Sequence, residues 1–438
     1  MSLAAQIQAE LEARTLPHLD GAYPPGEFVM PHYDGLGIAN LPATIAQTLG
    51  AKLSAACSPL RSDLCAGWSQ IRRNVPVRRV VLVVFDALGY LQLLEAMQAD
   101  PSLVFHRLAA AGSLLPLTST FLSTTCTALT TLWTGCAPAA HGSLAFEVFL
   151  REFGAAASIL FFWPVHHHHR DALTGWGLNP ETFIPLPGLA QQLAAQGVVT
   201  HSLIDKSYAS SAFTRMTQRG VKATDGFISA GDMWLGLQRA LAQYRDKKLF
   251  LTLYCGTVDG ITHQYSPADP SWTLELRSMA RMLEEGFLAQ LTPEQRRGTL
   301  LLITADHGGV DTPLKDAIQL KHHPDLRDAL RVQPLGESRA PFLYARPDTL
   351  DLVQRYMQER LGRSFVTWTR QQVLDSGLLG PGPLYRETPH RLGDLVAVAR
   401  GSHFLAQSDY HLQMKGRHGG LSAREMLVPL LAVRLDAL

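Results

Sequence analysis

A short syntax repeats along this chain and limits what it can fold into: an apolar run that ends on, or just before, a carboxylate. Arg79-Val80-Val81-Leu82-Val83-Val84-Phe85 is rich in β-branched residues, shows no polar alternation and stops at Asp86. That is the pattern of a strand buried on both faces of a parallel sheet. Val198 to Ile204 ends at Asp205, Lys248 to Tyr254 leads to Asp259, and Thr299 to Thr304 leads to Asp306. Helical patterns, such as the one from Tyr90, separate these runs. Strands alternating with helices predict βαβ units, and hence an α/β fold with a mostly parallel central sheet sandwiched between helices. Ligands in such sheets bind beyond the carboxyl ends of the strands. Asp86, Asp259 and Asp306 are therefore expected along one edge.

The rest of the chain divides around this core. Residues 1–75 read as an N-terminal extension packing on the core, partly helical, with a Pro/Gly-rich stretch after an amphipathic start. Residues 76–310 and 391–438 read as the core itself. Residues 311–390 read as a small inserted cap with its own strand (341–345), a helix (350–361) and a Gly/Pro-rich stretch at 377–383. Beyond the cap, 394–399 is expected to return to the main sheet, and 426–435 to form a final strand.

Composition excludes several function classes. A formal net charge of +1 gives no global attraction to nucleic acid or anionic membrane, so no nucleic acid polymer is expected as a partner. No apolar stretch is long enough for a membrane span. The N-terminus lacks a basic segment followed by an apolar core, so no signal peptide is expected. The five cysteines, Cys57, Cys65, Cys126, Cys136 and Cys255, follow no framework spacing and read as free thiols. Together these features predict a cytoplasmic protein; a homo-oligomer is left open.

Two segments carry metal-ligand chemistry. Val258-Asp259-Gly260-Ile261-Thr262-His263 places a carboxylate and an imidazole on one face of a helical turn. In Thr304-Ala305-Asp306-His307-Gly308-Gly309 the two are adjacent at a strand end, and the glycines are expected to supply the permissive backbone for a tight turn. His418 again precedes two glycines. Zinc and similar ions take histidine nitrogen and carboxylate oxygen, and their catalytic sites keep a position open. A single Asp or His of this kind reads as a cap or a hydrogen-bonded core group; several at strand ends read as a metal site. Thr118 to Thr127 is rich in hydroxyls before a helical run. A hydroxyl at a helix N-terminus feels the positive end of the dipole, although such clusters also serve simply as N-caps. Cys126 is a rival nucleophile with no basic neighbour in sequence.

In order, Val84-Phe85-Asp86-Ala87-Leu88-Gly89, then Ser123-Thr124-Thr125 through Thr134-Gly135 to Pro138-Ala139-Ala140-His141-Gly142, then Asp259 with His263, Thr304-Ala305-Asp306-His307-Gly308 and His418-Gly419-Gly420 form a series. This series resembles the alkaline phosphatase superfamily, in its type I phosphodiesterase/nucleotide pyrophosphatase branch, over residues 79–438. The resemblance implies an alkaline-phosphatase-like core and two divalent metal ions, usually zinc, with manganese as the alternative. Asp259, His263 and His418 would hold one ion; Asp86, Asp306 and His307 would hold the other together with the nucleophile. Counting ten residues back from Gly135, as that branch does, gives Thr125, with Ser123 and Thr124 as fallbacks. Thr125 would attack phosphorus in line, and water would hydrolyse the covalent intermediate.

The chain departs from the branch in two places. Cys126-Thr127-Ala128 follows the nucleophile where Phe-Pro-Asn is usual. Ser143 to Glu147 holds no Asn to assist the transition state, so nucleotide specificity does not carry over. A sulfatase is disfavoured because Cys126-Thr127-Ala128 is no Cys/Ser-x-Pro-x-Arg motif. The expected activity is hydrolysis of a small phosphate ester, with a diester favoured. Alternatives are a phosphomonoesterase, phosphonate hydrolase or phosphomutase on the same core, and, from another class, a catalytically inactive binding module. Lys415, Arg417 and Arg339 are the candidate substrate contacts. His166 to His169 and Lys321-His322-His323 read as surface loops.

Overall fold

A computed structural model describes residues 2–19, 23–54, 57–69 and 75–438. The strands of its two seven-stranded sheets, in chain order, are β1 Arg79–Phe85, β2 Ser113–Thr118, β3 Glu147–Leu150, β4 Ala155–Ser158, β5 Trp163–Pro164, β6 Val199–Asp205, β7 Ala223–Phe227, β8 Leu249–Cys255 and β9 Thr299–Thr304. They continue with β10 Leu335–Glu337, β11 Ala340–Leu343, β12 Phe365–Thr369, β13 Leu395–Ala399 and β14 Leu427–Arg434. The main sheet has the order β2-β14-β9-β1-β8-β6-β7. Its five strands from β9 to β7 are parallel, and every residue of β1 and β9 is buried. Their unbroken apolar runs follow from helices covering both faces.

Direction determines what reaches the edge where the parallel strands end. β1, β8 and β9 end side by side, with Phe85 opposite Cys255 and Val84 opposite Thr304. β14 runs antiparallel to β9, so the segment before it starts at the same edge. β2 is antiparallel to β14, with Thr118 opposite Leu427, and so delivers residues 119–125 there as well. This is an α/β fold of the expected kind, with a mostly parallel central sheet between helices.

The second sheet is larger than a cap at 311–390 implies. Its order is β12-β13-β11-β10-β3-β4-β5, all antiparallel. It takes strands from 147–164 as well, and β13 belongs to it rather than to the main sheet. The apolar character of β13 has a physical cause that local pattern does not disclose: the strand is buried on both faces. Val396 and Val398 join the main core, while Leu395, Ala397 and Ala399 pack in a smaller core with Val353, Met357 and Leu361 of the helix Leu350–Leu361.

The N-terminal segment is sewn onto the main sheet. Ile7, Leu11, Phe28, Met30, Ile38 and Ile45 are buried in the main core. Thr118 donates its N–H to Leu36 at 2.9 Å, and Val29 donates to Leu421 at 2.8 Å. The parts of that segment at 1, 20–22, 55–56 and 70–74 lie outside the described residues. Among the described residues Cys57, Cys126 and Cys255 are free thiols, and no helix is long and apolar enough to cross a membrane.

Candidate metal centre and nucleophile

This edge of the main sheet gathers seven of the expected residues. Asp86 follows β1 directly. Asp306 and His307 follow β9, Asp259 and His263 lie on the helix Thr257–Tyr265 after β8, and His418 stands ahead of β14. They form two trios, Asp259 with His263 and His418, and Asp86 with Asp306 and His307. Within each trio the ligand atoms lie within 4.8 Å of one another. Thr125 opens the helix Thr125–Thr134, and its Oγ1 stands 3.4 Å from Asp86 Oδ2 and 3.2 Å from His307 Nε2.

Backbone carbonyls aim all three imidazoles. His263 Nδ1 contacts the Gly416 carbonyl at 2.9 Å, His307 Nδ1 that of Gly308 at 2.9 Å, and His418 Nδ1 that of Ser123 at 3.1 Å. A carbonyl only accepts, so each Nδ1 carries the proton and each Nε2 turns a lone pair inward. Those lone pairs face carboxylates: His263 Nε2 lies 3.2 Å from Asp259 Oδ2, His307 Nε2 3.3 Å from Asp86 Oδ1, and His418 Nε2 3.7 Å from Asp259 Oδ1. Lone pair against lone pair is repulsive unless a cation stands between.

Protons alone serve this cluster poorly. Burial, then repulsion by Asp306 and Asp259, pushes the Asp86 carboxyl well above the usual range. Burial, with Asp259 behind it, pushes Asp306 up to about 7. Burial would raise Asp259 too, but His263, His418 and His307 hold it below the usual range. Burial opposes a charged His263, yet Asp259 raises that ring to about 9. Burial and His307, whose ring stacks at 3.8 Å, push His418 well below its usual value. Asp86 Oδ1, Asp259 Oδ1 and Asp306 Oδ2 are buried with no hydrogen-bond partner. Orphaned carboxylate oxygens beside inward-facing Nε2 atoms are the donor set that suits divalent ions of the zinc type.

The hydroxyl-rich stretch sorts itself by hydrogen bonds. Ser123 Oγ donates to the Gly420 carbonyl at 2.8 Å and accepts from the Gly419 N–H at 3.2 Å, steadying the His418 loop. Thr124 Oγ1 donates to Glu337 Oε1 at 2.5 Å. Of these three, Thr125 is the hydroxyl that faces Asp86 and His307. Cys126 is fully buried, and burial, then Glu337 and Asp86, pushes its thiol far above the usual value. It is an inert core thiol.

The proposed substrate contacts are placed differently. Arg339 is buried in a two-pronged pair with Glu425, at 2.7 and 2.8 Å, and also donates to the His403 carbonyl. Arg417 donates to Thr312 Oγ1 and the His411 carbonyl, with its guanidinium 3.5 Å from the centre of the Phe404 ring. Both guanidinium groups are engaged in holding structure. Lys415 is exposed. His166 to His169 and His322 lie at the surface, as expected of loops.

Gly308 and Gly309 are not in the left-handed region. Their reason is close approach. A Cβ at Gly308 would lie 2.0 Å from the Arg424 carbonyl, and one at Gly309 would lie 2.9 Å from Thr262 Cγ2. Left-handed residues at this edge are Gly419, at φ 109 beside His418, and Ala87, at φ 60, whose N–H donates to Asp306 Oδ1 at 3.3 Å.

Sequence reasoning missed Tyr254, whose hydroxyl donates to Asp86 Oδ2, and Glu337. Tyr254 was legible as a strand end but not as a site residue. Burial pushes the Glu337 carboxyl up to about 8 and that of neighbouring Glu147 up to about 7.

A family model described as type I phosphodiesterase / nucleotide pyrophosphatase matches residues 80–421. Murine ectonucleotide pyrophosphatase / phosphodiesterase 5 is similar at a TM-score of 0.59 and 16% identity, over 82% of this chain and 89% of that one. The human protein of that name gives 0.58 at 17%, over 81% and 87%. Phosphonoacetate hydrolase from Sinorhizobium meliloti 1021, in complex with phosphonoformate, gives 0.60 at 17%, over 83% and 95%. At such identities the structural likeness concerns the fold, an alkaline-phosphatase-type core. No curated protein sequence matches the chain.

Proposed function

The chain belongs to the type I phosphodiesterase/nucleotide pyrophosphatase family, and from that premise we propose that it hydrolyses a small phosphate ester, a diester in preference to a monoester, with Thr125 as nucleophile and two divalent ions as cofactors. Asp259, His263 and His418 would hold one ion, and Asp86, Asp306 and His307, with Thr125, the other. Zinc suits this mixed nitrogen and oxygen set, with manganese as the alternative. Divalent ions there supply Lewis acidity, lowering the pKa of hydroxyl and water and neutralising charge on phosphoryl oxygens.

The chain's own contribution starts at Thr125. Its Oγ1 lies in the first turn of a ten-residue helix, where the positive end of the dipole favours an alkoxide. Thr125 Oγ1 bonds to phosphorus as the bond to the leaving alcohol breaks on the far side. Water then attacks the phospho-Thr125 ester, releasing phosphate monoester and restoring the hydroxyl. The carbonyls of Gly308, Gly416 and Ser123 hold the imidazoles in place throughout, so reorganisation is small. The diester preference is supported by Arg339 and Arg417, which are engaged elsewhere and give no clamp for a dianion, and by the Glu337 carboxyl, which accepts from Thr124, the residue before the nucleophile.

The observation that carries this reading is the convergence of three carboxylates, three inward-facing Nε2 atoms and one helix-terminal hydroxyl. A hydrolysis panel tests it: a nitrophenyl phosphate monoester, a nitrophenyl phosphodiester, a nucleotide nitrophenyl ester and phosphonoacetate. The diesters should be the better substrates, and Thr125→Ala should abolish turnover while metal analysis still finds both ions. Full activity in Thr125→Ala would move the nucleophile elsewhere. Preference for phosphonoacetate would favour a phosphonate hydrolase, the activity named for one of the similar structures. Metal binding without any turnover would favour an inactive binding module.

A further inference from the structure

A cavity of about 230 Å³ opens on the catalytic edge, with Asp86, Thr125 and Asp259 in its wall. The facing walls are apolar. Leu129 and Trp133 come from the helix that starts at Thr125, Phe161 from the loop between β4 and β5, Ile204 from the end of β6, and Phe213 from the helix Ala212–Thr217. Tyr208 and Tyr254 add two phenol rings set edge to face, with centroids 6.1 Å apart. Phe161 is fixed in position by Trp163, at 4.3 Å between centroids, by Phe146 at 5.7 Å and by the Arg170 guanidinium at 5.2 Å.

The hydroxyls of Ser211, Thr214, Thr217 and Tyr254, which line this space, already have partners. Ser211 Oγ donates to Thr214 Oγ1 at 3.2 Å, Thr214 Oγ1 to the Tyr208 carbonyl at 2.8 Å, and Thr217 Oγ1 to the Phe213 carbonyl at 2.9 Å. The Tyr254 hydroxyl donates to Asp86. Gln218, the exposed Arg170 and the Tyr208 hydroxyl are the remaining polar groups of the lining away from Asp86, Thr125 and Asp259. That is too little to match the edge of a base and the hydroxyls of a sugar together, and unmatched polar groups are costly to bury. Size points the same way. An apolar cavity of about 150 Å³ holds benzene. Pockets for drug-sized ligands start at about 300 Å³, and this one, at about 230 Å³, lies between.

We propose that the cavity receives one substituent of the substrate's phosphorus and selects for an uncharged aryl or similarly flat apolar group over both a small alkyl group and a nucleoside. The inference rests on the reading above, in which the phosphoryl centre sits at Thr125.

Calorimetric titration of metal-loaded protein tests it directly, with methylphosphonate, phenylphosphonate and thymidine 5′-monophosphate as ligands. Phenylphosphonate should bind at least tenfold more tightly than methylphosphonate, and thymidine monophosphate no more tightly than phenylphosphonate. Phe213→Ala should cut the phenyl-to-methyl ratio at least fivefold. If that variant does not fold, the wild-type ratio decides by itself. Equal binding of the two phosphonates, or thymidine monophosphate tenfold tighter than phenylphosphonate, overturns the aryl assignment and leaves the hydrolase reading standing. No binding of any of the three removes the phosphoryl site and takes both down.

Discussion

The hydrogen bonds of a histidine separate a candidate metal ligand from a structural ring. His263, His307 and His418 offer Nδ1 to a carbonyl and keep Nε2 for the site. His141 does the reverse. Its Nδ1 accepts the Ser143 N–H at 3.1 Å, so its Nε2 donates to Thr131 Oγ1 at 2.9 Å. Neither nitrogen has room for a second proton, and burial, helped by Arg391, pushes the ring down to about 3. The unfolded chain binds that proton near pH 6.5, so this contribution to stability is full above 6.5 and is lost as pH falls toward 3. Between pH 7 and 5 the wild type should lose about 2 kcal/mol more than His141→Asn, by urea unfolding with chelator present. An equal loss in both would mean that His141 takes its proton in the folded state. His141 lay inside a recognisable block, Pro138 to Gly142, yet its role did not show there. The spacing of a histidine states that a ring is present; the tautomer depends on which backbone groups the fold brings to it.

At the scale of elements, strand and helix positions follow closely from local pattern, while partners do not. Arg339 illustrates the gap. In sequence it sits in a polar turn, Gly336-Glu337-Ser338-Arg339, and reads as a side chain free to meet a phosphate. In the fold that turn joins β10 to β11 and drives the guanidinium against Glu425, whose carboxylate also accepts the Gly420 N–H at 2.8 Å. The pair therefore fixes the loop that carries His418. Burial alone would raise Glu425, but Arg339 holds it ionised. Arg339→Met should leave a buried, unpaired carboxylate and cost about 3–5 kcal/mol. It should also lower metal content from two ions toward one, because the trio with His418 loses its support; unchanged metal content would limit the pair to stability. The turn after β9 makes the complementary prediction. Gly308→Ala forces a methyl into the Arg424 carbonyl, so the backbone carrying Asp306 and His307 must move. A destabilisation of about 2 kcal/mol or more is expected, with loss of the ion held by Asp86, Asp306 and His307. Full metal content in Gly308→Ala would show that the 424 segment yields instead.

The whole molecule joins two sheets that a linear reading separates only in part. The centre of the main sheet was legible because β1, β8 and β9 are almost wholly apolar runs, and a run of that kind has one common explanation; the edge strand β7, Ala-Thr-Asp-Gly-Phe, is exposed over its middle three residues and carries no such signal. The second sheet was not, because its strands come from separated parts of the chain, 147–164, 335–343, 365–369 and 395–399. Their pairing is settled by long-range burial: β13 looked like a core strand because two different cores cover it. Where the strand ends of the main sheet meet, Asp86 and Asp306 are buried and Asp259 is partly buried beside them, and on the proposed two-ion reading this would couple the stability of the whole chain to metal. Ions present at about a thousandfold over their dissociation constant add about 4 kcal/mol each. Chelation should therefore lower the thermal midpoint clearly, at a fixed scan rate. Asp86→Asn separates this linkage from ordinary packing by its sign. Without metal the variant removes a charge that burial, Asp306 and Asp259 all disfavour, and an amide N–H can meet the His307 Nε2 that now lies 3.3 Å from Asp86 Oδ1. It should melt higher than the wild type. With metal it removes a ligand, and it should melt lower. A drop under both conditions would mean that Asp86 is held by its bonds from Tyr254 and Thr125 rather than by an ion. The reversal is expected because the site's charge pattern opposes folding until divalent cations complete it.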